Sequence, residues 1–346
     1  MSKVTGSDGL PGPGSGSDQW VPPQFPRELH SKAWSARRRP RLSAILRGSA
    51  RVLAYALAAA AFGFLGGWFG QSVANDDSAT PTAPGEELTS TLLPPDGITL
   101  DVRWGDIPQR LTQEGVIDIE KFSAAAQAAG SPLTPEQLKV LSEGSDDTIR
   151  FDADNAYFLL DVLWALGLAN KNALLTEGPM AQQGWEQAGG YASTGGWTIG
   201  AKAGPEYLAA LDLIDLTPAQ QQVVEEVARN SYRPCCGNMT TFPDCNHGMA
   251  ALALTELMAS QGATADEIFG ALKSVSPFWF PTQYHHLAMY FEQNGQGEWK
   301  DIDARLVMGQ QYSSAGGWKQ VNAWLEQSGA LGSGSTGGGK ASGCAP

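Results

Sequence analysis

The sequence predicts a mainly α fold: a multi-helix extracytoplasmic domain that follows a single N-terminal transmembrane helix. Three observations predict it. Val52 to Gly70 is an apolar run without a charge. Thr134, Thr217 and Thr264 each stand three residues before Gln or Glu and open an apolar pattern of helical spacing. Finally, the chain lacks alternating polar and apolar stretches long enough for a sheet.

Residues 1–35 are Gly/Pro/Ser-rich without periodic apolar positions and read as a disordered cytoplasmic tail. Residues 36–51 form a basic juxtamembrane segment with Arg37, Arg38, Arg39, Arg41, Arg47 and Arg51. The transmembrane helix is placed at 52–73. At about 1.5 Å per residue, its nineteen-residue apolar heart spans roughly 28 Å, near the thickness of a bilayer core. Arginines before it and Asp76 and Asp77 after it put the N-terminus in the cytoplasm and the rest outside. Ser72-Val73-Ala74 has the small-x-small character of a signal peptidase site, so cleavage after Ala74 is the alternative to a retained signal-anchor. The long stretch ahead of the apolar run argues for retention. Residues 74–95 read as a linker, 96–328 as the helical domain, and 329–346 as a disordered Gly/Ser-rich tail carrying Cys344.

Within the domain, Ile98 to Trp104 is the best strand candidate, and strands are expected only before Pro108. Thr134-Pro135-Glu136-Gln137, Thr217-Pro218-Ala219-Gln220 and Thr264-Ala265-Asp266-Glu267 are capping boxes, two with Pro at the first helical position. Asn155 to Asn170 is apolar nearly all round, as in a central buried helix.

Charge narrows the function. The chain carries a net −13. Residues 1–51 hold 9 of its 23 basic and 3 of its 36 acidic residues, leaving 14 against 33 in the remainder. A region this acidic lacks the clustered Lys and Arg that phosphate recognition needs, which excludes nucleic acid as a partner. The partners expected are the membrane, through the single-pass anchor, and a protein of the cell envelope.

The chemistry concentrates in Cys235-Cys236-Gly-Asn-Met-Thr-Thr-Phe-Pro-Asp-Cys245-Asn-His247-Gly-Met249, which holds three of the four cysteines. Thiolate, imidazole and thioether are ligands of soft and borderline transition metals. Asp244 is expected to cap a helix running from about Cys245 to Gln261, with Gly262 as its stop. Cys245 and His247 would then share its first turn, facing the Cys235-Cys236 loop across a short gap, where helix-end charge favours thiolate. Three readings compete. One is a transition-metal site (copper, zinc or iron) or a haem site built from Cys235, Cys236, Cys245, His247 and Met249, with copper first. Another is a disulfide between Cys245 and Cys235 or Cys236 in a structural or interaction domain without catalysis, because exported thiols are oxidised by default. A thiol oxidoreductase or other cell-envelope enzyme is third. No Cys-x-x-Cys-His is present for covalent haem, no Cys-x-x-Cys for thioredoxin-like exchange, and the spacing fits no standard zinc pattern.

Tyr191-Ala-Ser-Thr-Gly-Gly-Trp197 and Tyr312-Ser-Ser-Ala-Gly-Gly-Trp318 share one pattern on either side of this segment. Each is read as a turn whose Ser caps a following helix, in preference to a ligand-presenting loop. His285 and Met289, four apart on one helix face, are read as packed rather than ligating. The tryptophans fall mostly among Leu and Ala at helical spacing, as core residues do.

Overall fold

A computed structural model describes residues 84–331. The expected tail, basic segment, membrane span and the first part of the linker (74–83) lie outside the described residues, as do the C-terminal tail and Cys344. Among the described residues, no helix is long and apolar enough to cross a membrane.

The linker expected to reach residue 95 contains a helix, α1 (Pro84–Leu92). Leu92 is buried and Leu88 and Leu93 rest against the core, so apolar contact orders a segment whose Ser, Thr and Gly content reads as coil. Strand β1 (Ile98–Gly105) confirms the strand candidate and extends it by one residue. The restriction of strands to the region before Pro108 is corrected by β2 (Ser145–Phe151), which pairs antiparallel with β1, Ile98 opposite Phe151 and Leu100 opposite Ile149. Only Ile149 and Phe151 of β2 alternate onto the buried face, behind Ser-Asp-Asp. Two apolar residues are too short a signal to read. The strand is held from far along the chain, where Phe151 meets the rings of Phe278 and Trp279.

Between the strands lie α2 (Ile107–Gln113), α3 (Ile119–Ala129) and α4 (Pro135–Glu143). All three capping boxes form: Thr134 with Gln137 on α4, Thr217 with Gln220 on α6 (Pro218–Asn230), and Thr264 with Glu267 on α8 (Ala265–Trp279). The apolar stretch becomes α5 (Ala156–Ala169), flanked by Asn155 and Asn170 and buried at nearly every position. Its main partner is α7 (Asn246–Ser260), the helix that carries the Cys/His motif. The two approach closely because Gly167 has no side chain; a Cβ there would collide with the carbonyl of Met249. At the far end of the pair, buried Asn170 accepts N–H bonds from Leu213 and Ile214 and donates to Glu256 of α7 at 2.8 Å. Helices α9 (Pro281–Gln293) and α10 (Ala315–Gln327) complete the domain, joined by short helical turns at Ala304–Met308 and Gln310–Ser313.

Residues 231–245 connect α6 to α7. The connection is pinned where the Tyr232 N–H donates to Met308 O and the Thr240 N–H to Ser231 O. The repeated Tyr-x-Ser-x-Gly-Gly-Trp segments brace it from two sides. The Ser193 N–H donates to Asp244 O at 3.1 Å, and the Ala315 N–H to Cys236 O at 2.8 Å. Only the second copy opens a helix, with Ser314 capping α10 through the Gly317 N–H. The first copy forms turns without a helix, so the expectation of two helix-starting turns holds for one copy alone.

Candidate metal centre

The site is built on the start of α7, one residue later than the sequence predicts. Cys245 itself occupies the N-cap, and its Sγ accepts the Gly248 N–H at 3.4 Å. Asp244 does not cap the helix because its carboxylate is drawn elsewhere. Oδ1 accepts from Arg233 Nη2 at 2.7 Å and Oδ2 from Asn238 Nδ2 at 2.8 Å. The sulfur, one residue further on, takes over the otherwise unpaired amide of the first turn.

Arg233 organises the centre. It is only 4% exposed, and its guanidinium donates from Nε to Cys245 Sγ at 3.1 Å. Nη1 donates to Asn238 O, and Nη2 to Phe242 O as well as to Asp244. Burial pulls its pKa down, but the negative charge of Cys245, Cys236, Cys235 and Asp244 outweighs this and holds the pKa above its ordinary value. A buried guanidinium needs anions beside it. Asp244 supplies one, and Cys245 Sγ, held by two N–H donors, is placed to supply another. Glycine at 248 is required here, since any Cβ would run into the guanidinium. Sequence reading missed Arg233 because it stands outside the Cys/His spacing. The available signal was a lone cation immediately before Pro-Cys-Cys.

Across the gap, Cys235 Sγ stands 3.5 Å from Cys245 Sγ, beyond the roughly 2.05 Å of a sulfur–sulfur bond. Cys236 faces both neighbouring thiols and lies 3.9 Å from Asp244 Oδ1. Its hydrogen bond with Cys235 pulls its pKa down, but the bond with Cys245 and burial outweigh this and push it up to about 12. The upward direction favours the thiol form of Cys236 beside Cys245.

His247 lies in the first turn of α7, buried against Phe280 at 4.4 Å between ring centres and Trp279 at 6.0 Å. Burial lowers its pKa to about 4, with Cys245 pulling the other way and Arg233 reinforcing the drop. The imidazole is thus neutral near pH 7 and keeps a lone pair. Its Nδ1 is buried and makes no hydrogen bond. A cavity about the size of one water lies against this ring, lined also by Arg233, Ser276 and Trp279.

Cys235, Cys245 and His247 each offer a donor atom, and the three lie within 4.8 Å of one another. Cys236, Asp244 and Cys245 form a second such group. The donors fit a metal: two sulfurs bound tetrahedrally at about 2.3 Å lie roughly 3.8 Å apart, close to the separation here. A Cys/His cluster able to hold a metal ion is therefore present. Met249 stands elsewhere on the helix from His247. Two residues beyond His247, it is turned about 200° around the helix and packs fully buried against Gly167 of α5. His285 and His286 belong to neither donor group. His285 borders a groove beside α1, and His286 stacks on Trp318.

Comparison with protein-family models, with curated proteins and with solved structures gives no match for this chain. The functional reading therefore rests on the geometry alone.

Proposed function

We propose that this protein binds a soft or borderline transition metal, copper first, through Cys235, Cys245 and His247, in a membrane-anchored domain outside the cytoplasm. The observation that carries the reading is the convergence of two sulfurs and a neutral, buried imidazole within 4.8 Å. Two sulfurs with one nitrogen, and no oxygen in that inner set, suit Cu(I) ahead of harder ions. The water-sized space beside His247 favours an ion over a haem. Arg233 would offset part of the negative charge that two thiolates bring, and would hold Cys245 at the helix end in the correct orientation. The metal would supply ligand exchange or electron transfer. The residues themselves position it and exclude water. The arginines before Val52 and the acids after Ala74 support the anchor and its orientation. A cell-envelope protein that gives or takes the ion is the partner this implies.

Elemental analysis of the full-length chain, beside its Cys245→Ser variant, tests the reading. The wild type should carry about one transition-metal ion per chain, and the variant should lose it while remaining folded. A second reading is favoured by the 3.5 Å approach of Cys235 and Cys245, which a small movement converts to a disulfide. On that reading Cys245→Ser leaves metal content unchanged and costs about 2–4 kcal/mol of stability under oxidising conditions.

A further inference from the structure

We infer that the centre has two overlapping metal positions, an inner one and an outer one through which the ion loads, with Cys245 Sγ shared between them. This rests on the proposed metal binding and deepens it. The two donor groups, Cys235/Cys245/His247 and Cys236/Asp244/Cys245, have only the Cys245 sulfur in common. They differ in depth. In the inner group Cys235 is partly exposed but Cys245 and His247 are both buried, and the imidazole is walled by Phe280 and Trp279. In the outer group Cys236 and Asp244 are both partly exposed, the Asp244 side chain at 22%. The outer group thus has two donors open to an ion arriving from solvent, whereas the inner group has one, Cys235, and its His247 is closed off.

The chemistry follows the same gradient. The outer group includes a carboxylate, whose oxygen accepts a partly hydrated ion. The inner group has only sulfur and nitrogen, which a soft ion prefers once its water is gone. Transfer needs no free intermediate. The ion stays on Cys245 Sγ while bonds to Asp244 and Cys236 break and bonds to Cys235 and His247 form. Cys236 gives up its proton to solvent when the ion lands, and as the ion moves inward the proton that Cys235 must lose passes to the Cys236 thiolate the ion leaves. Arg233 touches Asp244 and Cys245 together at 2.7 and 3.1 Å, so it holds the outer carboxylate and the shared sulfur in one frame throughout. The backbone on both sides is pinned, at Asp244 O by Ser193 and at Cys236 O by Ala315, which keeps the outer group from swinging away.

Stopped-flow transfer of Cu(I) from its bicinchoninate complex to the reduced full-length chain separates the two positions. Cys236→Ser and Asp244→Asn should both reach the wild-type final stoichiometry but load about tenfold more slowly, in line with the effect of altering one supporting ligand. Circular dichroism checks that both variants are folded, and Cys245→Ser should abolish uptake. Loading by both variants within twofold of wild type would overturn the outer position alone. Loss of stoichiometry in Cys236→Ser equal to that in Cys245→Ser would also overturn it, by making Cys236 an inner ligand. A wild type that takes up no Cu(I) would remove the proposed metal function, and this inference with it.

Discussion

At the level of single residues, the centre depends most on one that the Cys/His spacing does not disclose. Arg233 is enclosed by Asp244, Cys245 and two carbonyls, and removing one partner of a buried charge network leaves the others uncompensated. Arg233→Met should therefore cost about 3–5 kcal/mol in urea unfolding. Arg233→Lys should recover little, because a lysine lacks the fork that reaches sulfur, carboxylate and carbonyl together. Met249 gives the opposite expectation. Packed on Gly167, it is a core residue, so Met249→Leu should leave metal content unchanged and cost less than about 1.5 kcal/mol. A loss of metal in that variant would return Met249 to the ligand set. The cysteines and His247 were legible because thiol and imidazole are rare in this chain and cluster once. Asp244 was legible as a helix-start residue but not as a salt-bridge partner, since that role depends on a side chain eleven residues away.

The elements were legible in proportion to how local their causes are. A capping box is complete within four residues, and all three formed where their Thr and Gln or Glu stand. The near-continuous apolar face of α5 likewise needs no distant information. Strand β2 and helix α1 were not legible, because each is ordered by contact with residues far along the chain. The pairing of α5 with α7 has a consequence for pH. Glu256 of α7 is wholly buried, and burial raises its pKa to about 8 despite the bond from Asn170. Asp161 of α5 is raised by burial to about 7. In the unfolded chain both carboxyls ionise near pH 4, so between there and pH 8 the folded state holds the extra protons and stability falls as pH rises. His247 works in the opposite sense: its folded pKa near 4 lies below the unfolded value, so its contribution grows as pH rises from about 4 to 6.5 and is then constant. The decline between pH 7 and 8 thus belongs to Glu256, and in the Glu256→Gln variant it should disappear from urea midpoints. An unchanged slope would mean that the carboxyl is already ionised in the folded protein.

For the whole molecule, the expected arrangement sets the N-terminus inside and residues 75–346 outside. Protease added to intact cells should digest that region. Protection until lysis would overturn the topology and, with it, the expectation of an oxidising surrounding for the thiols. On that arrangement, the acidity of the region also has a bearing on supply. A net −19 after residue 51 draws cations towards the surface, an attraction that salt screens beyond about 10 Å.

The two backbone bonds that brace residues 231–245 come from Ser193 and Ala315, 122 positions apart. A growing chain exposes the cysteines to its surroundings well before the second of these anchors has been synthesised. The bond from Ala315 to Cys236 O consequently forms only after residue 315 has been added, later than the donor atoms and Arg233. A polypeptide that stops short of residue 315 retains every donor atom and lacks the clamp that holds Cys236 in place.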